Sequence, residues 1–228
     1  MLKIGVANGF IALLFIVGCG NDATELATES VKQQTQQATN VKSLSAEASD
    51  AESHSASEII QITDGSVARY KIGEVLTRYP NPIVAIGESD QVSGSVAFDE
   101  DGDVLNGSIT VDVSVLKSDK NKRDNWIQRS AGIGSEIVLN VTEIEGLTFP
   151  LAETGDIKFV ILGNLEISGR SVRTSWDASA TLSGTNLEGK ADTIIKWEQF
   201  GLSKPSLPFI ISVEDEIILE IEFKASRN

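Results

Sequence analysis

The segment Ser108–Val115, SITVDVSV, alternates strictly. Ile109, Val111, Val113 and Val115 fall on one side, and Thr110, Asp112 and Ser114 on the other. A period of two is the geometry of a strand with one buried and one wet face. The pattern recurs from about Gln61 onward: SVARYKI, QVSGSVAFD, SEIVLNVTEIEGL, DIKFVILGNLEISG, SVRTSWDASATLSG, NLEGKADTIIKWEQF and EIILEIEFKAS. Turn signals separate these runs at Glu100–Asp103, Gly155-Asp156, Gly169-Arg170 and Gly184–Asn186. No long amphipathic helix interrupts them. The chain therefore reads as all-β, with strand spacing suited to a sandwich or an up-and-down barrel. Alternation does not choose between these, and it does not separate a filled interior from a hollow one, because both need the same inward residues.

The amino-terminal quarter has a different texture. MLKIGVANGFIALLFIVGCGND places Lys3 before a mostly apolar run, Ile4–Val17. The run is short for a bilayer span, which needs ~20 apolar residues, and it fits the hydrophobic region of a secretory signal. Its end, Ile16-Val17-Gly18-Cys19, resembles a bacterial lipobox. That resemblance implies cleavage before Cys19 and acylation of its thiol. Gly20, not Asp, follows, which implies an outer-membrane address facing the periplasm in a diderm cell. Residues 19–60 are rich in Ala, Ser, Thr, Gln and Glu, with too few large apolar side chains to offset the entropy of ordering. They read as a disordered tether with a reach of roughly 35 Å. The expected division is a leader over 1–18, a tether over 19–60 and one β domain over 61–228.

Composition closes several functional routes. The chain of 228 residues has one cysteine, Cys19, one histidine, His54, and a formal net charge of -14. Both Cys19 and His54 precede the β domain, so that domain has no histidine or thiol for nucleophilic catalysis or a His/Cys zinc site. No cluster of Lys and Arg offers a nucleic-acid footprint. The expectation is no metal, no cofactor and no catalytic residue.

One segment breaks the strand pattern. LKSDKNKRDNWIQ (116–128) is charged, helix-like and carries a tryptophan. Ser118 or Asp119 can cap a helix there. Trp126 and Ile127 follow Arg123 by three and four residues, giving one apolar face while Lys120, Lys122 and Asn125 stay wet. Such a helix can close a barrel end with Trp126 over the mouth. Arg123 and Asp124 then either fix the loop by hydrogen bonds, or Arg123 receives a lipid's polar head.

Five pieces at matching intervals now resemble the YceI-like, or lipid/polyisoprenoid-binding-like, family over Ile62 to Ala225. They are Val92–Phe98, Leu116–Asp119 with Arg123–Asn125, Gly163–Gly169, Trp197–Leu202 and Val213–Ile217. Three positions depart from the family pattern: Ser168 where a His is frequent, Lys196-Trp197 where an Arg is, and Ser135-Glu136 where a Pro is. The resemblance implies an antiparallel, lipocalin-like up-and-down barrel with one short helix closing an end. It also implies an apolar interior for an isoprenoid or fatty chain. The expected ligand-facing residues are Phe98, Val111, Val113, Arg123, Trp126, Phe159, Ile161, Leu165, Trp176, Trp197, Leu219 and Phe223. The partners expected are an apolar lipid, the membrane through the acyl anchor and, left open, a second copy in a homodimer. The competing readings are a scaffold with a filled core and an enzyme using Asp119, Asp124 or Glu214–Glu216.

Overall fold

The computed structural model describes residues 55–228. The leader, Cys19, His54 and most of the tether lie outside these residues. Twelve strands, one α-helix and one 3-10 helix follow in order. They are β1 (Glu58–Ile62), β2 (Val67–Leu76), β3 (Tyr79–Ser89), β4 (Val92–Phe98), β5 (Val104–Asp112), β6 (Lys117–Ser118), α1 (Asn121–Ser130), β7 (Glu136–Glu145), β8 (Thr154–Ile167), β9 (Arg170–Ser183), β10 (Asn186–Lys196), the 3-10 helix (Trp197–Phe200), β11 (Ile210–Val213) and β12 (Glu216–Arg227).

Eight of the strands close a ring in the order β1, β4, β5, β7, β8, β9, β10, β12, and β12 returns to β1. Every pairing is antiparallel. Closure removes the exposed edges that an open sheet of this size would carry. The Arg227 guanidinium clamps the seam by pairing with Glu58 at 2.7 Å. Strand β1 straddles the expected tether boundary at residue 61. Glu58–Gln61 already pair with β4, so the ordered sheet begins three residues earlier than the polar composition suggests.

Strands β1 and β2 share one edge of β12. Ala225–Arg227 pair with β1, and Ile218–Glu222 pair with β2. At the jog, buried Ser66 accepts the Lys224 N–H at 2.9 Å and donates to the Thr63 carbonyl at 2.9 Å. A second buried serine, Ser89, lies where β3 passes into β4. It donates to the Asp112 carbonyl at 2.6 Å and accepts the Gln91 N–H at 3.2 Å. Each hydroxyl satisfies backbone groups that a broken ladder would strand. Above the jogs, the wall beside β12 is β2–β3–β6, with α1 next along the chain.

Strand β3 escapes a reading by alternation. Pro80 and Pro82 lack an N–H, and Ile83-Val84-Ala85-Ile86 is apolar without a gap. Prolines suit an edge: β3 pairs with β2 at Tyr79 and Ile83–Ser89, breaks register between them, and touches β6 only at Gly87 and Glu88. Two further expectations shift. Asp112 Oδ1 accepts from the Ser114 N–H at 2.8 Å, which ends β5 and leaves Val115 exposed while Val113 is buried. Gly155 is no turn: it pairs with Leu182 inside β8. The true β8–β9 turn is Ser168-Gly169, both at positive φ (55° and 73°), the pair of dihedrals a two-residue hairpin of this twist requires.

The interior divides along the barrel axis. At the pole formed by β1, β4 and the far ends of β9 and β10, Phe98 meets Phe149 at 5.0 Å between ring centroids. Leu151, Leu182, Leu187 and Ala225 pack beside them, with Phe223 against the same cluster. The Phe223 ring lies over Gly189, where any Cβ would collide with it. This half is solid.

Candidate functional site

The other half is a chamber. Its walls are Ile109, Val111 and Val113 from β5 and its end, Ile137 and Leu139 from β7, and Leu165 and Ile167 from β8. Ile195 from β10, Ile217, Leu219 and Ile221 from β12, and Ala68, Tyr70 and Ile72 from β2 complete them. The volume is about 130 Å³. An apolar cavity of about 150 Å³ holds a benzene ring, so this space takes roughly five or six carbons. Trp176 is the deepest lining residue of β9, because the next inward residue, Ala178, no longer borders the space. Its indole N–H donates to Thr174 Oγ1 at 3.0 Å, so the floor is fixed in orientation.

The roof is a pair of indoles. Trp126 of α1 meets Trp197 of the 3-10 helix edge-to-face, with centroids 6.4 Å apart and planes at 71°. Trp197 is held by its own N–H to the Glu214 carbonyl at 3.0 Å. Buried Phe200 and left-handed Gly201 (φ 63°) end the 3-10 helix and turn Leu202 back into the chamber lining. Above the indoles lies a wider outer pocket of about 590 Å³, lined by both apolar and charged side chains. Tyr70, Ile72, Trp126, Ile127 and Trp197 border both spaces.

Helix α1 is latched by a buried polar network. Arg123 pairs with Glu74 of β2 and with Asp119, each at 2.5 Å, and its Nη1 also reaches Ser118 Oγ at 3.1 Å. Glu74 is 7% exposed and the Arg123 side chain 14%. Burial pulls the Arg123 pKa down, but hydrogen bonds to Asp119 and Glu74 outweigh it and hold the value above normal. The same hydrogen bond from Arg123 holds the Asp119 carboxyl below the usual range. With two carboxylates on it, Arg123 has little charge left for a phosphate. Its geometry is that of the loop-fixing role.

The cap differs from expectation. Lys120 is the N-cap and makes no side-chain cap bond. Instead Asp124 reaches back from the first turn to the Ser118 N–H at 2.9 Å and accepts from Ser118 Oγ at 2.5 Å. Ser118 is thus fastened by the helix rather than capping it.

Tyr70 was not singled out by sequence. Its ring lies across Gly87, where a Cβ would collide with it, and its buried hydroxyl meets no hydrogen-bond partner. Burial pushes the phenol pKa well up, so the group stays protonated. Nothing in the sequence sets Tyr70 opposite Gly87; only the β2–β3 register does.

The expected ligand-facing set splits in two. Val111, Val113, Trp126, Leu165, Trp176, Trp197 and Leu219 line the chamber, and Arg123 lines only the outer pocket. Phe98, Phe159, Ile161 and Phe223 do not border either space. Phe98 is 1% exposed in the solid pole, while Phe159, Ile161 and Phe223 are half-buried against the core. Phe159 and Ile161 face inward opposite Ala178 and Trp176, at and below the floor.

The profile of the family described as YceI-like domain matches residues 82–225. The chain belongs to that family. Among solved structures it is similar to a polyisoprenoid binding domain from Saccharophagus degradans implicated in plant cell wall breakdown. That likeness has a TM-score of 0.56 and 11% identity, covering 76% of this chain and 100% of that one. It is also similar to BcnA of Burkholderia cenocepacia, with a TM-score of 0.50 and 15% identity, over 69% of this chain and 96% of that one. These likenesses speak for the YceI-like fold alone. A search of curated proteins returned no match. Of the family departures, Ser168 lies in the exposed β8–β9 turn, away from the chamber.

Proposed function

We propose that this YceI-like protein is a membrane-tethered lipoprotein. Its barrel holds the chain of a polyisoprenoid or another long-chain lipid, for storage or transport in the cell envelope. The observation that carries this reading is the apolar chamber between the fixed Trp176 floor and the Trp126–Trp197 roof. The name of the Saccharophagus degradans domain supports the ligand class. Binding needs no bond cleavage: each methylene leaving water contributes about 0.8 kcal/mol. The chamber takes the first five or six carbons, and a longer chain passes the indoles into the outer pocket. The neutralised Arg123 and the unpartnered Tyr70 hydroxyl favour an uncharged oxygen acceptor beside the roof over a phosphate.

Prenyl and straight-chain alcohols of graded length test the reading, followed by the fluorescence of the three tryptophans. Affinity should rise roughly fourfold per carbon and flatten once the chamber is full, near six carbons. Affinity independent of chain length sinks it. The anchor is tested separately. A Cys19→Ser chain should leave the membrane fraction in a high-salt wash, and retention there defeats the acylation reading.

A second reading, a scaffold or homodimer, draws on the outer wall. Ile194, Ile218 and Ile86 are exposed in one cross-strand row through Lys71, with exposed Val84 beside the open β3 edge. Sedimentation velocity with Val84→Lys distinguishes it: a dimer that this change dissolves supports it, and a monomer at all concentrations removes it.

A further inference from the structure

The outer pocket opens at a rim unlike the rest of this acidic chain. The β2–β3 tip and the start of β11 lie side by side, joined by the Thr77 N–H to the Phe209 carbonyl at 3.1 Å. Two aromatic side chains stand in water there, Tyr79 at 59% and Phe209 at 39% exposure, and Ile211 at the β11 bulge is 60% exposed. Cations sit among them. Lys122 Nζ lies 5.8 Å from the Phe209 ring centroid. Arg78 and Lys120 are exposed on the same pocket wall. Among the described residues, neither Arg78 nor Lys122 meets a carboxylate at salt-bridge distance. The two acids of this pocket, Glu74 and Asp119, are already taken by Arg123 and Lys120. The acidic Glu214–Glu216 turn is set back: the Glu214 N–H bonds the Gly73 carbonyl. That is four residues down β2 from Thr77, or about 13 Å at 3.3 Å per residue.

Exposed aromatic groups interleaved with unpaired cations match the interface of an anionic bilayer. Aromatic rings settle at the headgroup level, and basic side chains meet lipid phosphates. The net charge of -14 repels the remaining surface and so orients the approach. We propose that this rim docks on an anionic lipid bilayer, with Tyr79 and Phe209 in the headgroup region and Arg78 and Lys122 on lipid phosphates. The outer pocket then opens directly onto the lipid, and a chain enters the chamber without crossing water. The entry route rests on the reading of the chamber as a lipid site; the docking itself does not.

The test uses the full chain carrying Cys19→Ser, so that a cysteine placed at Ser206, beside the rim, or at Ser183, at the solid pole, takes an environment-sensitive dye alone. Vesicles are phosphatidylcholine, with or without about one third phosphatidylglycerol. The Ser206 dye should brighten and shift blue only with the anionic vesicles and lose this response as salt is raised, while the Ser183 dye stays unchanged. Arg78→Gln with Lys122→Gln should weaken vesicle binding roughly twenty-fivefold, at about fivefold per cation. No response at Ser206, equal responses at both sites, or a response that survives both substitutions overturns the proposal. So does a response to soluble polyglutamate without one to vesicles, which would assign the rim to an acidic protein. Alcohol binding is read on the same samples. Chamber binding without vesicle response defeats the docking alone, and vesicle response without chamber binding defeats the storage reading alone.

Discussion

The two halves of the barrel share one alternation pattern and differ in what faces inward. At the solid pole the inward positions carry rings and leucines: Phe98, Phe223, Leu182 and Leu187. In the chamber they carry Val111, Ile195, Ile217 and Leu219, while the wall beside β12 passes from β1–β4 to β2–β3. A wall displaced at two serine-stitched jogs leaves a space between side chains of similar size. A barrel can therefore be core at one end and container at the other without any change of secondary structure.

The contrast can be broken most forcefully by deleting side chains. Phe98→Ala should cost about 3–5 kcal/mol, because a ring with 1% exposure leaves a void in packed surroundings. Leu219→Ala, which borders existing space, should cost roughly 1–2 kcal/mol, at or below the low end for such changes. Urea denaturation of both variants checks the pair, and equal losses erase the distinction between the halves.

Next in size is the latch. Glu74→Ala leaves the buried Arg123 guanidinium with Asp119 as its one carboxylate and should cost about 2–3 kcal/mol, below the full range for an orphaned buried charge. Amide exchange should show Asn121–Ser130 opening before the barrel strands do. Protection lost uniformly would mean that α1 is no separate lid.

Adding volume sharpens the comparison. Leu182→Trp overfills the solid pole and should destabilise by roughly 1–3 kcal/mol. Leu219→Trp grows into the chamber, so stability should stay within about 1 kcal/mol of the parent while lipid capacity disappears. The smallest effect is with pH. Asp119 has a folded pKa below its unfolded value, so its support for α1 is complete above the ordinary carboxylate range near pH ~4. That support is lost as pH falls through the depressed value. Trp126 fluorescence should therefore hold steady down to that range and change only below it, and a change near neutral pH would contradict this.

The strands with clean alternation, β5 and β7 to β10 and β12 among them, were legible because a half-buried strand imposes period two. Strand β3 was not, since its prolines and unbroken apolar run follow from its place at an edge. The charged break at 116–128 marked α1, whose Trp126 borders the mouth. The family motifs could not say which inward residues meet empty space. Val111 and Phe159 look alike in sequence, and only the far wall decides that one borders the chamber and the other is packed. Ser66, Ser89 and Tyr70 were invisible for the same reason: their work depends on partners from distant strands.

Native mass spectrometry of the protein isolated from a membrane-rich host, beside its Leu219→Trp variant, bears most directly on the hollow half. The account predicts a bound lipid mass on the parent that is missing from the variant. A parent of bare polypeptide mass that also takes up no added prenyl alcohol would contradict it.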